Sequence, residues 1–292
     1  MTKVDEKEKI DTQSPKKDYK VPDDRGATHP TPQTENDAYK PAEKMKSMNA
    51  IITGADSGIG RAVAIAFAKV GASVAVVDLE EKEDIHQVKE RLEQLGVKSL
   101  YFTGDVGDES FAKEVIDKVV SEWGEIHTLV NNAAEQHTQE KISGITAAQL
   151  DRTFRTNVFG MFYFAKAAFL HMADYGTVIN TTSVTAYKGA PGLMDYAATK
   201  GSIVAFTRSF AQNNEVLEKN IRVNAVAPGP IWAALILATT GSTYEEHGSS
   251  VPMKRTGEPY ELVPAYVYLA TPDSSYVTGQ VIHINGGTIV NG

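Results

Sequence analysis

Short β-branched runs alternate with longer stretches of helical spacing along most of the chain. Ala50, Ile51 and Ile52 form a run too short and too β-branched for a helix, which predicts a buried strand. Gly54, Gly58 and Gly60 interrupt it; Ala62, Ile65, Ala66, Phe67, Lys69 and Val70 then restore helical spacing up to Gly71, where a helix C-terminal glycine belongs. A second strand is predicted at 73–78, ending in Asp78, and a helix from about 81 to 95. The pattern continues with strands at 99–106 and 126–134 around a helix at 109–123, and with a long amphipathic stretch at 146–172. A strand at 176–183, a helix from 195 to about 213, and strands at 221–229 and 280–287 complete it.

Strands separated by helices of this length predict an α/β fold in one domain: a Rossmann-type doubly wound parallel sheet with helices on both faces. Ligands of such sheets bind at the carboxyl ends of the strands. That rule gathers Gly54 to Gly60, Asp78, Asp105, Asn131 to Ala134, Ser183, and Pro228 with Gly229 onto one edge.

In the order strand, glycine loop, helix, the glycines allow a tight turn and bring backbone close to a pyrophosphate at the helix N-terminus. The spacing is G-x-x-x-G-x-G, and a glycine-rich turn without ligand stays open as an alternative. Asp78 lies close to the offset at which a ribose-binding acid follows such a loop. A carboxylate there would repel a 2′-phosphate, which favours NAD while NADP stays possible; the alternative is that Asp78 caps the following helix.

Residues 1–47 are crowded with Lys, Asp and Glu and hold five of the twelve prolines. Such a segment buries too little apolar surface to offset its ordering entropy, so a flexible charged extension ahead of a 48–292 domain is expected. A partner-binding arm, or docking through Tyr19, Val21 and Tyr39, stays open. A formal charge of -8 argues against nucleic acid as a partner. The absence of cysteine removes disulfides and thiolate chemistry. No apolar run approaches the ~20 residues of a membrane span, and the start is unlike a signal peptide, so a cytoplasmic protein without membrane contact is expected. The seven histidines show no metal-ligand spacing, and no metal site is expected.

Tyr196 and Lys200 lie four apart on a predicted helix and share a face, while Ser183 ends a strand. A neighbouring cation favours the phenolate, which would make Tyr196 a usable general acid and base, with Ser183 donating to the substrate oxygen. A Tyr and Lys pair at this spacing also occurs as an ordinary surface pair.

From about residue 48 to the end the sequence resembles the short-chain dehydrogenases/reductases, in the branch with a Y-x-x-x-K active site. The motifs are TGADSGIG (53–60), DV (105–106), NNAA (131–134), TN (156–157), Ser183 with YAATK (196–200), PGPIW (228–232) and GQVIHINGG (279–287). The charged extension is similar to that of bacterial general-stress-type oxidoreductases.

The resemblance implies an NAD(P)(H)-dependent alcohol dehydrogenase or carbonyl reductase for a small molecule, acting as a homotetramer. Its catalytic residues would be Asn157, Ser183, Tyr196 and Lys200. Cofactor contacts would come from Gly54, Asp56, Ser57, Gly58, Ile59, Gly60, Asp78, Asp105, Val106, Asn131, Asn132, Ala133, Tyr196, Lys200, Pro228, Gly229 and Ile231. Asp105 would meet the adenine amino group, and Asn157 would hold a water linking Lys200 to solvent. Asp105 as a turn cap, and Asn157 as a partner of backbone in a helix kink, are the plainer readings. Ala134 stands where the family has glycine, and Ala233 where it usually has a threonine that holds the nicotinamide carboxamide. Residues 233–258 lie where the family has its substrate lid. A rival reading is a dinucleotide-binding stress regulator or scaffold without turnover.

Overall fold

The computed structural model describes residues 30–36, 42–80 and 83–288. The predicted docking residues Tyr19, Val21 and Tyr39 lie outside them, as do residues 81–82 and 289–292.

In chain order the elements are β1 (Asn49–Thr53), α1 (Gly58–Lys69), β2 (Ser73–Asp78), α2 (Glu83–Gln94), β3 (Ser99–Thr103), α3 (Glu109–Trp123), β4 (Ile126–Asn131), α4 (Ala147–Phe154), α5 (Gly160–Phe169) and β5 (Met172–Thr181). There follow α6 (Thr185–Lys188), α7 (Met194–Ala211), α8 (Asn214–Glu218), β6 (Arg222–Pro228), α9 (Ala234–Thr240), α10 (Val263–Ala270) and β7 (Val281–Ile284). The seven strands form one sheet in the order β3-β2-β1-β4-β5-β6-β7, every pair parallel.

Alternation along the central strands builds two cores. Ala50 and Ile52 join Val74 and Val76 under α1, α2 and α10, where Phe67, Leu92 and Tyr266 are fully buried. Ile51 joins Ala75 and Val77 against α3 and α5, with Ile116 and Phe164. A strand buried on both faces has no polar side, and this is why the sequence reads as apolar runs rather than alternation.

Four local differences have physical reasons. The stretch at 146–172 is α4 and α5 joined by a π-helical turn at Arg155–Phe159, since an extra residue per turn is invisible to helical spacing. The third strand stops at Thr103 because Asp105 Oδ1 accepts from Gly107 N at 2.8 Å and turns the chain. The fifth strand starts early, at Met172, through a register shift against β4. Helix α10 carries no periodicity because it is buried nearly all round.

The segment ahead of β1 also differs from a free extension where it is described. Residues 30–36 lie along the body: Gln33 N donates to Glu258 Oε2 at 2.7 Å, and Tyr260 N donates to Gln33 O at 3.1 Å. Glu35 receives Arg91 through two bonds of 2.8 Å and pairs with Lys69 at 2.5 Å. Met45 is fully buried in the core.

Candidate active site

At the carboxyl edge of the sheet a cavity of about 350 Å³ runs from the glycine loop past Asp78 to Ser183, Tyr196 and the start of α9. Gly54 has φ +63°, and a Cβ on it would lie 2.8 Å from Ala133 Cα, so only glycine lets the two loops approach. A Cβ on Gly60 would lie 1.9 Å from Gly54 O, and this glycine packs inside the loop instead of lining the cavity.

Helix α1 opens at the cavity with Ser57 as its N-cap residue and no side-chain cap bond, so the N–H groups of its first turn lack a protein side chain at that end. An uncapped helix N-terminus beside Ser57, Gly58 and Ile59 suits a pyrophosphate. Asp78, at the end of β2, accepts from Asp56 N at 3.1 Å and from Leu79 N at 2.7 Å. Burial, then the Asp56 charge beside it, pushes the Asp78 carboxyl up to about 7. Among the described residues its side chain makes no bond into α2, so it is not that helix's cap. These features fit a dinucleotide with its adenosine end at Asp56 and Asp78.

Thr53 and Asn132 lock the glycine loop to the end of β4. Asn132 N and Ala133 N donate to Thr53 Oγ1 at 3.0 and 3.1 Å, and Asn132 Nδ2 donates to Gly54 O at 2.9 Å. Asn131, expected at the cavity, lies away from it: β-strand alternation turns it below the edge, where its Nδ2 donates to Asn180 Oδ1 at 2.9 Å.

Asp105 lines the cavity but is also a turn cap, with Oδ1 on Gly107 N and Oδ2 receiving Arg152 Nη1 at 2.5 Å. Arg152 Nε reaches Glu135 Oε2 at 3.1 Å, so one guanidinium ties the ends of β3 and β4 together.

On α7, one turn apart, stand Tyr196 and Lys200. Lys200 is 1% exposed; its Nζ donates to Thr181 O at 2.9 Å and stands 5.3 Å from the Tyr196 ring centroid. Burial pushes Lys200 down to about 7. It pushes Tyr196 up to about 12, with a hydrogen bond from Ser183 pulling the other way. The direction differs from the lowering expected of a neighbouring cation: desolvation raises the phenol, and the Lys200 ammonium is bound to a carbonyl and not to the phenol oxygen.

Asn157 does not line this cavity. It sits in the π-helical turn, where its Oδ1 accepts from Glu135 N at 2.9 Å and its Nδ2 donates to Glu135 O at 2.9 Å and to Thr199 Oγ1 at 3.1 Å. Its side chain is therefore a partner of backbone in a kink. The wider turn sets it opposite the loop after β4, and thereby braces α7 through Thr199.

The remaining expected positions, Val106, Ala133, Pro228, Gly229 and Ile231, line the cavity. Thr156 of the TN motif lines it as well, and so do Arg152, Gln136, Leu235 and Ile236, which the sequence did not single out. Gln136 follows the small-residue loop by two positions, a polar residue at a strand end that the edge rule could have collected. Leu235 and Ile236 lie on a seven-residue helix without periodic signal. Among the described residues no cluster of metal-ligating side chains occurs, and no helix is long and apolar enough to cross a membrane.

A family profile described as enoyl-(acyl carrier protein) reductase matches residues 54–288. The chain is 51% identical over 263 residues to general stress protein 39 of Bacillus subtilis, covering 90% of this chain and 91% of that protein. It is 46% identical over 269 residues to the chloroplastic NADPH-dependent aldehyde reductase 1 of Arabidopsis thaliana, covering 89% and 93%. A solved short-chain dehydrogenase/reductase of Brucella melitensis, titled glucose/ribitol dehydrogenase, superposes with a TM-score of 0.78 at 29% identity, over 85% of this chain and 99% of that one. With its parallel seven-stranded sheet, its glycine loop and these relatives, the chain belongs to the short-chain dehydrogenase/reductase family of oxidoreductases.

Proposed function

We propose that the protein interconverts an alcohol and a carbonyl compound, using NAD(H) in preference to NADP(H). The observation that carries this reading is the meeting of Ser183, Tyr196 and Lys200 in one cavity with the uncapped start of α1. The nicotinamide nucleotide, when bound, supplies or accepts the hydride.

The residues of the chain handle the proton and the orientation. In the reducing direction the Tyr196 hydroxyl gives its proton to the substrate oxygen, and Ser183, already hydrogen-bonded to Tyr196, holds that oxygen. A Tyr196 held up at about 12 stays protonated, ready to act as the acid, but holds its proton more tightly than a free tyrosine does. Lys200, in its charged form, offsets that bias toward the neutral phenol in the oxidising direction. Asn157 acts indirectly, by fixing the loop after β4 against α7.

Support for NAD(H) comes from charge. Asp56 and Asp78 face the adenosine end together, and Arg61, a nearby cation, is engaged elsewhere: Nε on Asp56 O at 2.7 Å and Nη2 on Asp84 Oδ1 at 2.8 Å. The Arabidopsis relative's name specifies NADPH, so the preference is a property to test on this chain. The four-residue spacing of Tyr196 and Lys200 is shorter than in the enoyl-reductase branch, which favours a carbonyl substrate.

Exposed apolar surface supports a homotetramer. Phe159, at the end of the π-helical turn, and Phe162, on α5, are 39% and 47% exposed, and Phe162 contacts Phe206 of α7 at 4.4 Å between centroids. Such a patch on a folded chain marks an interface, and light scattering gives the mass.

The deciding experiment pairs fluorescence titration of NADH and NADPH with a panel of carbonyl compounds, on the parent and on Tyr196→Phe. The reading expects tighter NADH binding and a loss of turnover by orders of magnitude in the variant with binding retained. Full turnover in Tyr196→Phe would sink the assignment. Binding without turnover of any carbonyl would favour the regulator or scaffold.

A further inference from the structure

We propose that Gln136 is a specificity-determining residue, which selects hydroxylated aldehydes and ketones over apolar ones of the same size. The inference rests on the oxidoreductase reading of the cavity.

Gln136 is 5% exposed and lines the cavity with Ser183, Tyr196, Leu235 and Ile236. Its Nε2 donates to Thr239 Oγ1 at 2.6 Å. The single proton of that hydroxyl goes to Leu235 O, also at 2.6 Å, so Thr239 Oγ1 can only accept there. This fixes which end of the Gln136 amide faces α9: nitrogen toward Thr239, oxygen away from it. Thr138 Oγ1 donates to Thr239 O at 2.7 Å and holds the same residue from a second side.

Among the described residues, Gln136 Oε1 has no donor. Of the other polar groups on this wall, Arg152 binds Asp105 and Glu135, whereas the buried Thr156 Oγ1 has no hydrogen-bond partner among the described residues. Ser183 and Tyr196 belong to the reacting oxygen. A nearly buried acceptor beside Leu235 and Ile236 is satisfied by a substrate hydroxyl and left unpaired by an alkyl chain. Sites built to hydrogen-bond a substrate hydroxyl discriminate far more strongly against the analogue that lacks it than apolar pockets do against added size. Because the same amide holds Thr239, substrate choice and the seating of α9 run through one side chain.

The test compares kcat/KM for D-glyceraldehyde and for propanal, three-carbon aldehydes with and without hydroxyls, in the full-length parent, Gln136→Met and Thr239→Val. The parent should favour glyceraldehyde, and Gln136→Met should lower that ratio by about tenfold or more. Thr239→Val, which breaks the bond to α9 and keeps the amide, should change the ratio by less than about threefold. Chymotryptic cleavage within 233–258 of the cofactor-free protein reads the seating of α9 independently of turnover, and both variants should be cut several-fold faster. If Gln136→Met does not fold, Gln136→Asn withdraws the amide by one methylene and should lose the ratio likewise. A parent that favours propanal, an unchanged ratio in the Gln136 variants, or a Thr239→Val that reproduces their loss would each overturn the inference. A parent that reduces neither aldehyde and no other carbonyl with either nucleotide would overturn the oxidoreductase reading itself, and this inference with it.

Discussion

The indole N–H of Trp232 donates to the carbonyl of Pro30 at 2.6 Å, across 202 positions of sequence. Trp232 is fully buried, packs edge-on against Tyr244 at 5.3 Å, and immediately precedes the segment that carries α9. Glu258, at the far end of that segment, receives Gln33 N and the Tyr244 hydroxyl. Residues 30–36 thus hold both ends of 233–258. Trp232→Phe keeps the apolar packing but leaves the Pro30 carbonyl without its donor, a loss of about 1–3 kcal/mol for a buried group. Urea unfolding should show this as a lower midpoint at an unchanged slope.

The sequence made the scaffold readable where one kind of residue had one kind of job. Ile51 and Ile52 bury opposite faces of one strand, so an apolar run was the only pattern available; Gly54 must be glycine because Ala133 lies against it. Ser183, Tyr196 and Lys200 were readable as a set because a strand end and one helical turn bring them together. Other parts were hidden by long-range pairing. Nothing local to Pro30 announces Trp232, and nothing near Asn157 announces a π-helical turn or the backbone of Glu135. Tyr196 and Lys200 were placed by spacing, but their charge states depend on burial, which spacing does not contain.

Asp78 should make stability and nucleotide choice depend on pH. Its folded-state value of about 7 lies above the ordinary 3.8, so the folded protein holds the proton more tightly than the unfolded chain. The resulting stability is present in full below about 4 and is lost as pH rises through about 7. Asp78→Asn should therefore gain stability over the parent as pH rises across that window, reaching about 1 kcal/mol or more above pH 7 after allowance for screening. The measurement is the difference in urea midpoints at each pH. In the parent, the NADPH-to-NADH affinity ratio should rise as pH falls below about 7, because a neutral Asp78 no longer repels a 2′-phosphate.

Lys200 should cost stability near neutrality. Its folded-state value of about 7 lies below the usual 10.5, so between these limits the unfolded chain holds a proton that the folded one has released. Stability then rises with pH from about 7 and levels off near 10.5. Lys200→Met removes the buried ammonium together with its bond to Thr181 O. The net effect should be a gain of about 2 kcal/mol at pH 7 that shrinks toward pH 10, alongside a loss of turnover by orders of magnitude. Thermal melts across that range read the first, and initial rates read the second.

Ala233→Thr should improve two functions of one position. Ala233 is the N-cap residue of α9, extended at φ −153° with no side-chain cap bond, and it lines the cavity close enough that a Cβ on Gly58 would lie 3.2 Å from its own Cβ. A threonine hydroxyl there can accept from the first turn of α9, worth about 1 kcal/mol at an N-cap. The same position in related enzymes usually carries a threonine that holds the nicotinamide carboxamide, and one such bond contributes about 0.5–1.5 kcal/mol. A single hydroxyl cannot give its full strength to both, yet its proton can go to the carboxamide while a lone pair receives a helix N–H. NADH should bind roughly two- to tenfold tighter to Ala233→Thr by fluorescence titration. Residues 233–258 should at the same time resist proteolysis longer without nucleotide. An unchanged NADH affinity would mean that the hydroxyl serves α9 alone.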